Sequence, residues 1–233
     1  MCGRFAYYSA AEAAVDLFGL ADMPPVAAQY NIAPTDFAAV IQRDETGANV
    51  VSMKRWGLLP FWSKDRSMAA RMINARAETV HEKPAYRAAF KARRCVVPAD
   101  GYYEWIALAD GKQPFYLSRS DGAPLAMAGL WEQWQDPARD NEQVETFTIL
   151  TMAATDRIAA LHHRMPVMLD DVACEHWLAG DSGNPPALRE LNGVERAAEM
   201  DYWAVEKTVN NARNEAAQLI DPLADQPPLP EQD

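Results

Sequence analysis

Residues 95–131, CVVPADGYYEWIALADGKQPFYLSRSDGAPLAMAGLW, decide the fold. Four short runs in this stretch, Cys95–Val97, Tyr102–Trp105, Pro114–Leu117 and Leu125–Trp131, are dominated by apolar and aromatic side chains, and the connections between them carry Gly101, Gly111 and Gly122. Short apolar runs punctuated by glycine turns read as successive strands. The same reading extends outward. Ala38–Gln42 and Val50–Trp56 flank a polar turn over 44–49, and Phe147–Met152 is a further strand. Tyr30-Asn-Ile-Ala-Pro34 is extended, because a residue preceding proline is pushed out of the helical region.

Helices are few and short in this reading. Ser9-Ala-Ala-Glu12 has the spacing of a capping box and predicts a helix over about 10–19, which the Met23-Pro-Pro25 loop terminates. Pro84 opens a short helix to Lys91. Thr155 caps one over about 156–161. Pro166–Leu169 is a short strand, and Asp170 or Asp171 starts a helix through Leu178. Pro186–Leu191 is one more helical turn. Strands and helices do not alternate regularly, so the fold class is α+β, with a mainly antiparallel, barrel-like sheet surrounded by short helices. Residues 1–221 form one domain, and the proline-rich, acidic stretch 222–233 is expected to be disordered.

With 49% hydrophobic and 24% charged residues the chain is of ordinary globular composition. No apolar run reaches the roughly 18 residues of a membrane span, and the N-terminus has no signal-like apolar core, so a cytoplasmic location is expected. The three cysteines, Cys2, Cys95 and Cys174, show no paired spacing. A disulfide framework and a zinc site are therefore both disfavoured, and no metal or cofactor is expected. Net charge is −11, yet the window from Lys54 to Arg94 holds 11 basic residues against three acids. That window is +8 and the remainder −19, an asymmetry suited to an anionic partner such as nucleic acid.

Several residues carry chemistry. If Met1 is removed, Cys2 presents an α-amine and a thiol on adjacent carbons, with ordinary pKa values of about 8 and 8.5. Such a 1,2-aminothiol condenses with an aldehyde to an imine and then closes to a thiazolidine. Asn74-Ala-Arg76-Ala-Glu78 offers an amide and a guanidinium fork suited to phosphate, and Arg4 lies beside Cys2. Glu104, between aromatic neighbours, is placed for burial that would lift its pKa toward neutrality. His162 and His163 are both candidate proton shuttles, and the pattern alone does not choose between them. Phe61 and Trp62, among Lys54, Arg55, Lys64 and Arg66, suit base stacking beside a cationic track. Trp56, at a strand end, reads as core.

Six blocks in order, Met1-Cys-Gly-Arg-Phe5, Tyr30-Asn-Ile-Ala-Pro34, Trp56-Gly with Pro60-Phe-Trp62, Ile73-Asn-Ala-Arg-Ala-Glu78, Cys95–Trp105 and Leu161-His-His-Arg-Met-Pro166, resemble the SRAP family of SOS-response-associated peptidases, also described as abasic-site processing proteins. The resemblance covers nearly the whole chain. It implies a sensor of abasic sites in single-stranded DNA that forms a thiazolidine crosslink through Cys2 after loss of Met1 and shields the site, with associated autopeptidase and abasic-site lyase activity. In that picture Asn74 positions the Cys2 amine or the opened sugar, Glu104 is the general acid/base, and His162 rather than His163 is catalytic. Arg4 and Arg76 contact phosphate, and Pro34, Phe61 and Trp62 wedge or stack against DNA. Position 61 is Phe where related sequences can carry Trp. A monomer, cytoplasmic and nucleoid-associated when on DNA, is expected. Two other readings stay open at this point: a thiol peptidase acting on proteins, and a non-catalytic single-stranded DNA binder.

Overall fold

The computed structural model describes residues 2–9, 15, 18–20, 26–108, 111–180 and 199–229. Among them thirteen strands form two sheets. The first runs β13 (Met200–Ala204), β8 (Gly111–Arg119), β7 (Gly101–Leu108), β1 (Phe5–Tyr7), β2 (Gln29–Ile32). The second contains β4 (Asn49–Trp56), β3 (Phe37–Arg43), β6 (Arg94–Ala99), β9 (Leu125–Asp136) and β10 (Glu142–Ala153), flanked by β5 (Asn74–Arg76), β11 (Arg164–Pro166) and β12 (Met168–Leu169). Because β10 pairs with both β9 and β4, the five strands β10-β4-β3-β6-β9 close on themselves. Closure leaves this ring no unpaired edge. Its pairings are antiparallel except β10 with β4, which is parallel. The α+β, barrel-like architecture expected from the sequence is the one observed.

The strands read from the sequence are present and most are longer, except that Pro166–Leu169 is divided between β11 and β12, which pair with β10 and β9. The twelve-residue β9 and β10 extend past Trp131 and begin before Phe147, so their hairpin reaches beyond the barrel. Two helices are shorter than read, Arg87–Ala92 and Asp156–Ala159, while Asp171–Ala179 matches its reading to within a residue. Asp170 caps the last of these through Ala173 N at 2.8 Å, and Gly180 ends it in the left-handed conformation, φ 82°. Thr155 stands at the N-cap of its helix without a side-chain cap bond. The helix expected over about 10–19 lies largely outside the described residues, and the turn at 186–191 and the Met23-Pro25 loop lie wholly outside them. Composition gave no reason to expect structure after 221, yet Pro222 bridges Val205, Gln226 Oε1 accepts from Ala204 N at 2.7 Å, and Leu223 and Leu229 pack on the core.

An aromatic stack ties the two sheets together. Phe5 of β1 meets Trp56 of β4 edge-on at 5.0 Å, and Trp56 lies parallel to Phe147 of β10 at 6.3 Å. All three are fully buried, each burial contributing on the order of 2–3 kcal/mol. This stack fixes the chain's first strand against the barrel, and with it the residues just before Phe5.

Candidate active site and nucleic-acid interface

β1 is short but lies inside its sheet, between β7 and the edge strand β2. Phe5 pairs with Ile32 on one side and Tyr102 on the other. Tyr103 N donates to Arg4 O at 2.9 Å, so residues 2–4 continue along β7 toward Glu104. Cys2 is fully buried there. Asn74 reaches it from the other sheet. β5 lies parallel to β10, with Asn74 opposite Ile149, and Asn74 Nδ2 donates to Cys2 O at 2.7 Å. Asn74 Oδ1 is buried beside this bond and has no donor among the described residues. The Cys2 backbone is thus held at the seam of the two sheets, with an amide oxygen free to accept one more proton donor.

Arg4, Glu104 and His162 line one open cleft of about 460 Å³, together with Trp105, Lys112 and Asn210. Glu104, only 3% exposed, has its carboxyl pKa raised by burial to about 7. It therefore exchanges a proton near neutrality. Burial likewise pushes the Cys2 thiol well above the ordinary thiol range. His162 is lowered by burial to about 4 and is uncharged at neutral pH. Arg164 N donates to His162 Nδ1 at 2.9 Å, and the same nitrogen stands 3.2 Å from Arg164 O, so either tautomer of the neutral ring meets a backbone partner there. His163 stacks on His162 at 4.2 Å and is exposed.

The two blocks around Asn74 and His162 are physically joined. Arg164 forms a bidentate pair with Glu78, at 2.6 and 2.9 Å, and Arg164 Nη2 also donates to Thr151 O at 2.5 Å. Glu78 follows β5 and Arg164 opens β11, and both strands pair with β10. The pair therefore braces the His162 turn against the strand that carries Asn74.

Trp62, Asn74 and Arg76 line a second cleft of about 420 Å³ with Met72, Thr79, Lys83, Pro84 and Tyr86. Trp62 is 47% and Phe61 63% exposed, whereas Trp56 is core, as its strand-end position predicted. Phe61 and half-buried Pro34 line neither cleft. The basic window divides. Lys54 is fully buried, paired with Glu145 and 4.1 Å over the Trp131 ring; Arg66 pairs with Asp136, Arg93 with Glu132, and Arg94 packs on Phe90 and Trp177. Lys64, Arg71, Arg76, Lys83, Arg87 and Lys91 are exposed. Sequence reasoning missed Lys112 and Asn210 as cleft residues. Lys112 arrives through the β7–β8 register, opposite Ala107, and Asn210 through its bond from Trp105 Nε1 at 2.6 Å. Neither lies in a recognisable motif. Trp105 itself stood within the Glu104 block, where an aromatic next to a cleft carboxyl was the available signal.

The family model described as SOS response associated peptidase (SRAP) matches residues 1–212. The Abasic site processing protein YoaM of Bacillus subtilis is 36% identical over 225 residues, spanning 95% of this chain and 98% of its own length. The Abasic site processing protein YedK of Escherichia coli is 30% identical over 232 residues, spanning 96% of this chain and all of its own. The Abasic site processing protein HMCES of Gallus gallus is 32% identical over 207 residues, 78% of this chain and 61% of that one. A crystal structure of a protein from Bacteroides thetaiotaomicron superposes with TM-score 0.75 at 25% identity, covering 95% of this chain and all of that one. By the extent of the family match and the identity to full-length relatives, the chain belongs to the SRAP family.

Proposed function

We propose that this protein processes abasic sites in single-stranded DNA by covalent capture through Cys2, once Met1 has been removed. The observation that carries the reading is Cys2, held through its carbonyl by Asn74 and within electrostatic reach of Glu104, beside the cleft that Glu104 shares with His162, with Glu104 poised near neutral pH. The names of the relatives support the substrate.

The chemistry follows from the environment of each group. The Cys2 amine attacks the aldehyde of the opened deoxyribose. Glu104 in its acid form protonates the departing hydroxyl, water leaves, and an imine forms. The thiol then adds to the imine carbon and its proton passes to nitrogen, closing a thiazolidine with net loss of one water. A buried, protonated thiol favours this order, amine first and sulfur second. It also weighs against a thiolate protease, which needs the opposite shift. Asn74, with Nδ2 on the Cys2 carbonyl and Oδ1 open, orients the amine. Neutral His162 exchanges a proton with the sugar oxygen during ring opening. Where the thiol fails to close, the imine permits β-elimination at the 3′ phosphate, a lyase outcome. Removal of Met1 by the same groups would account for an autopeptidase. Arg4 and Arg76 hold phosphates, and Trp62, Phe61 and Pro34 stack or wedge against the strand.

The test is a denaturing gel. Mixed with a single-stranded oligonucleotide bearing one abasic site, wild type should give a slow-migrating covalent band and Cys2→Ala none. An equal band from Cys2→Ala, or none from wild type, overturns the proposal.

A further inference from the structure

Within the block Tyr30-Asn-Ile-Ala-Pro34, Asn31 has no role so far, and it is 2% exposed. Every hydrogen-bonding direction of that amide points at something specific. Asn31 Oδ1 accepts from Arg4 Nη1 at 2.6 Å. Asn31 Nδ2 donates to Asn214 O at 2.8 Å and Asn211 O at 3.1 Å, with Val209 O at 3.4 Å. Arg4 Nη1 also donates to Val209 O, at 3.0 Å. One buried amide thereby joins three pieces of chain: β2, the arginine two residues after Cys2, and the segment following the 3-10 turn Lys207–Asn210.

The guanidinium is left in a particular attitude. Among the described residues only Nη1 hydrogen-bonds to protein, and Arg4 Nε has no acceptor there although it is buried. Arg4 stands 5.8 Å over the Trp105 ring in the cleft that holds Glu104 and His162. The Nε and Nη2 hydrogens of a guanidinium lie parallel along one edge and match two oxygens of a phosphate. With Nη1 pinned, that edge is the part of Arg4 left without a protein acceptor among the described residues.

We infer that Asn31 is a positioning residue for DNA: together with the backbone of 209–214 it fixes Arg4 so that its Nε–Nη2 edge takes a backbone phosphate beside the abasic sugar. The inference rests on the abasic-DNA reading above. It also makes the carboxy-terminal segment, distant in sequence from every catalytic residue, part of the binding site's frame.

The test measures the concentration of abasic oligonucleotide that half-saturates crosslinking, separately from the rate at saturation. Arg4→Gln should raise the half-saturating concentration by about tenfold, the loss expected of one charge-assisted phosphate contact. Asn31→Ala should do the same with the saturated rate unchanged, and the double variant should be no worse than Arg4→Gln alone. Asn31→Ser, whose shorter side chain does not reach Arg4, should match Asn31→Ala, and urea melts of both variants guard against loss of fold. In the wild-type protein, an oligonucleotide with a tetrahydrofuran abasic analogue should shift the Arg4 Nε–H resonance. Wild-type half-saturation in either Asn31 variant, penalties that add to that of Arg4→Gln, or an unmoved Nε–H resonance overturns the inference. Failure of the underlying function looks different: wild type then forms no covalent band at any concentration.

Discussion

Replacing Glu104 with Gln should stabilise the protein at neutral pH while removing its proton transfer. Glu104 is 3% exposed, and burial raises its pKa from 4.5 to about 7 in the fold. The folded state therefore binds more protons than the unfolded chain between those values, so stability drains away as pH rises through that window. Below about pH 4.5 both states hold the acid and the group contributes no penalty. Above about pH 7 the fold must bury a carboxylate. The displacement corresponds to roughly 3 kcal/mol, at 1.36 kcal/mol per pH unit. Gln has nearly the shape of the neutral acid and does not titrate. Urea unfolding of both proteins at about pH 4.5 and about pH 8 isolates the effect, because acid effects common to both cancel in the difference. The Gln variant should gain roughly 3 kcal/mol relative to wild type between those conditions and should lose on the order of 10²-fold in crosslinking rate. A stability difference that does not change with pH, or one that moves against the Gln variant at high pH, refutes the reasoning about burial.

Other outcomes follow from the same geometry. Asn74→Ala removes the 2.7 Å bond to Cys2 O and should slow crosslinking at saturating DNA by about tenfold or more, at a stability cost of about 1 kcal/mol, read by gel kinetics and urea melts. Glu78→Gln breaks the bidentate pair with Arg164 that braces the His162 turn; because Glu78 is 38% exposed, its cost should be no more than about 1 kcal/mol, while the crosslinking rate falls. Gly57→Ala forces a side chain onto φ +112° with its Cβ 2.4 Å from Ala69 O, and should cost about 3 kcal/mol or more in thermal or urea unfolding.

The strands of residues 95–131 were legible because each is a short apolar run closed by a glycine turn, and the antiparallel, barrel-like class followed from their succession. Barrel closure was not. It depends on β10 pairing with β4 in parallel, across about 90 residues, and nothing local to Phe147 or Trp56 signals which strand lies beside it. β13 escaped because Met-Asp-Tyr-Trp-Ala has neither alternation nor a flanking turn signal; it owes its existence to pairing with β8. The basic window was visible as composition, but composition does not report partners. Lys54 is a buried ion pair and Arg94 is wrapped in aromatics, so the cationic surface is smaller than the count of 11 suggested. The candidate catalytic residues stood out through motif and chemistry. Asn31 and Lys112 did not, because the role of each is set by contacts or register rather than by its neighbours in sequence.

The most direct test of the account is the intact mass of the purified protein before and after reaction with an abasic single-stranded oligonucleotide. The account predicts a chain lacking Met1, and a complex whose mass is the sum of that chain and the oligonucleotide less one water, with the adduct on Cys2. A complex formed by chains that retain Met1, or an adduct on any other residue, would contradict it.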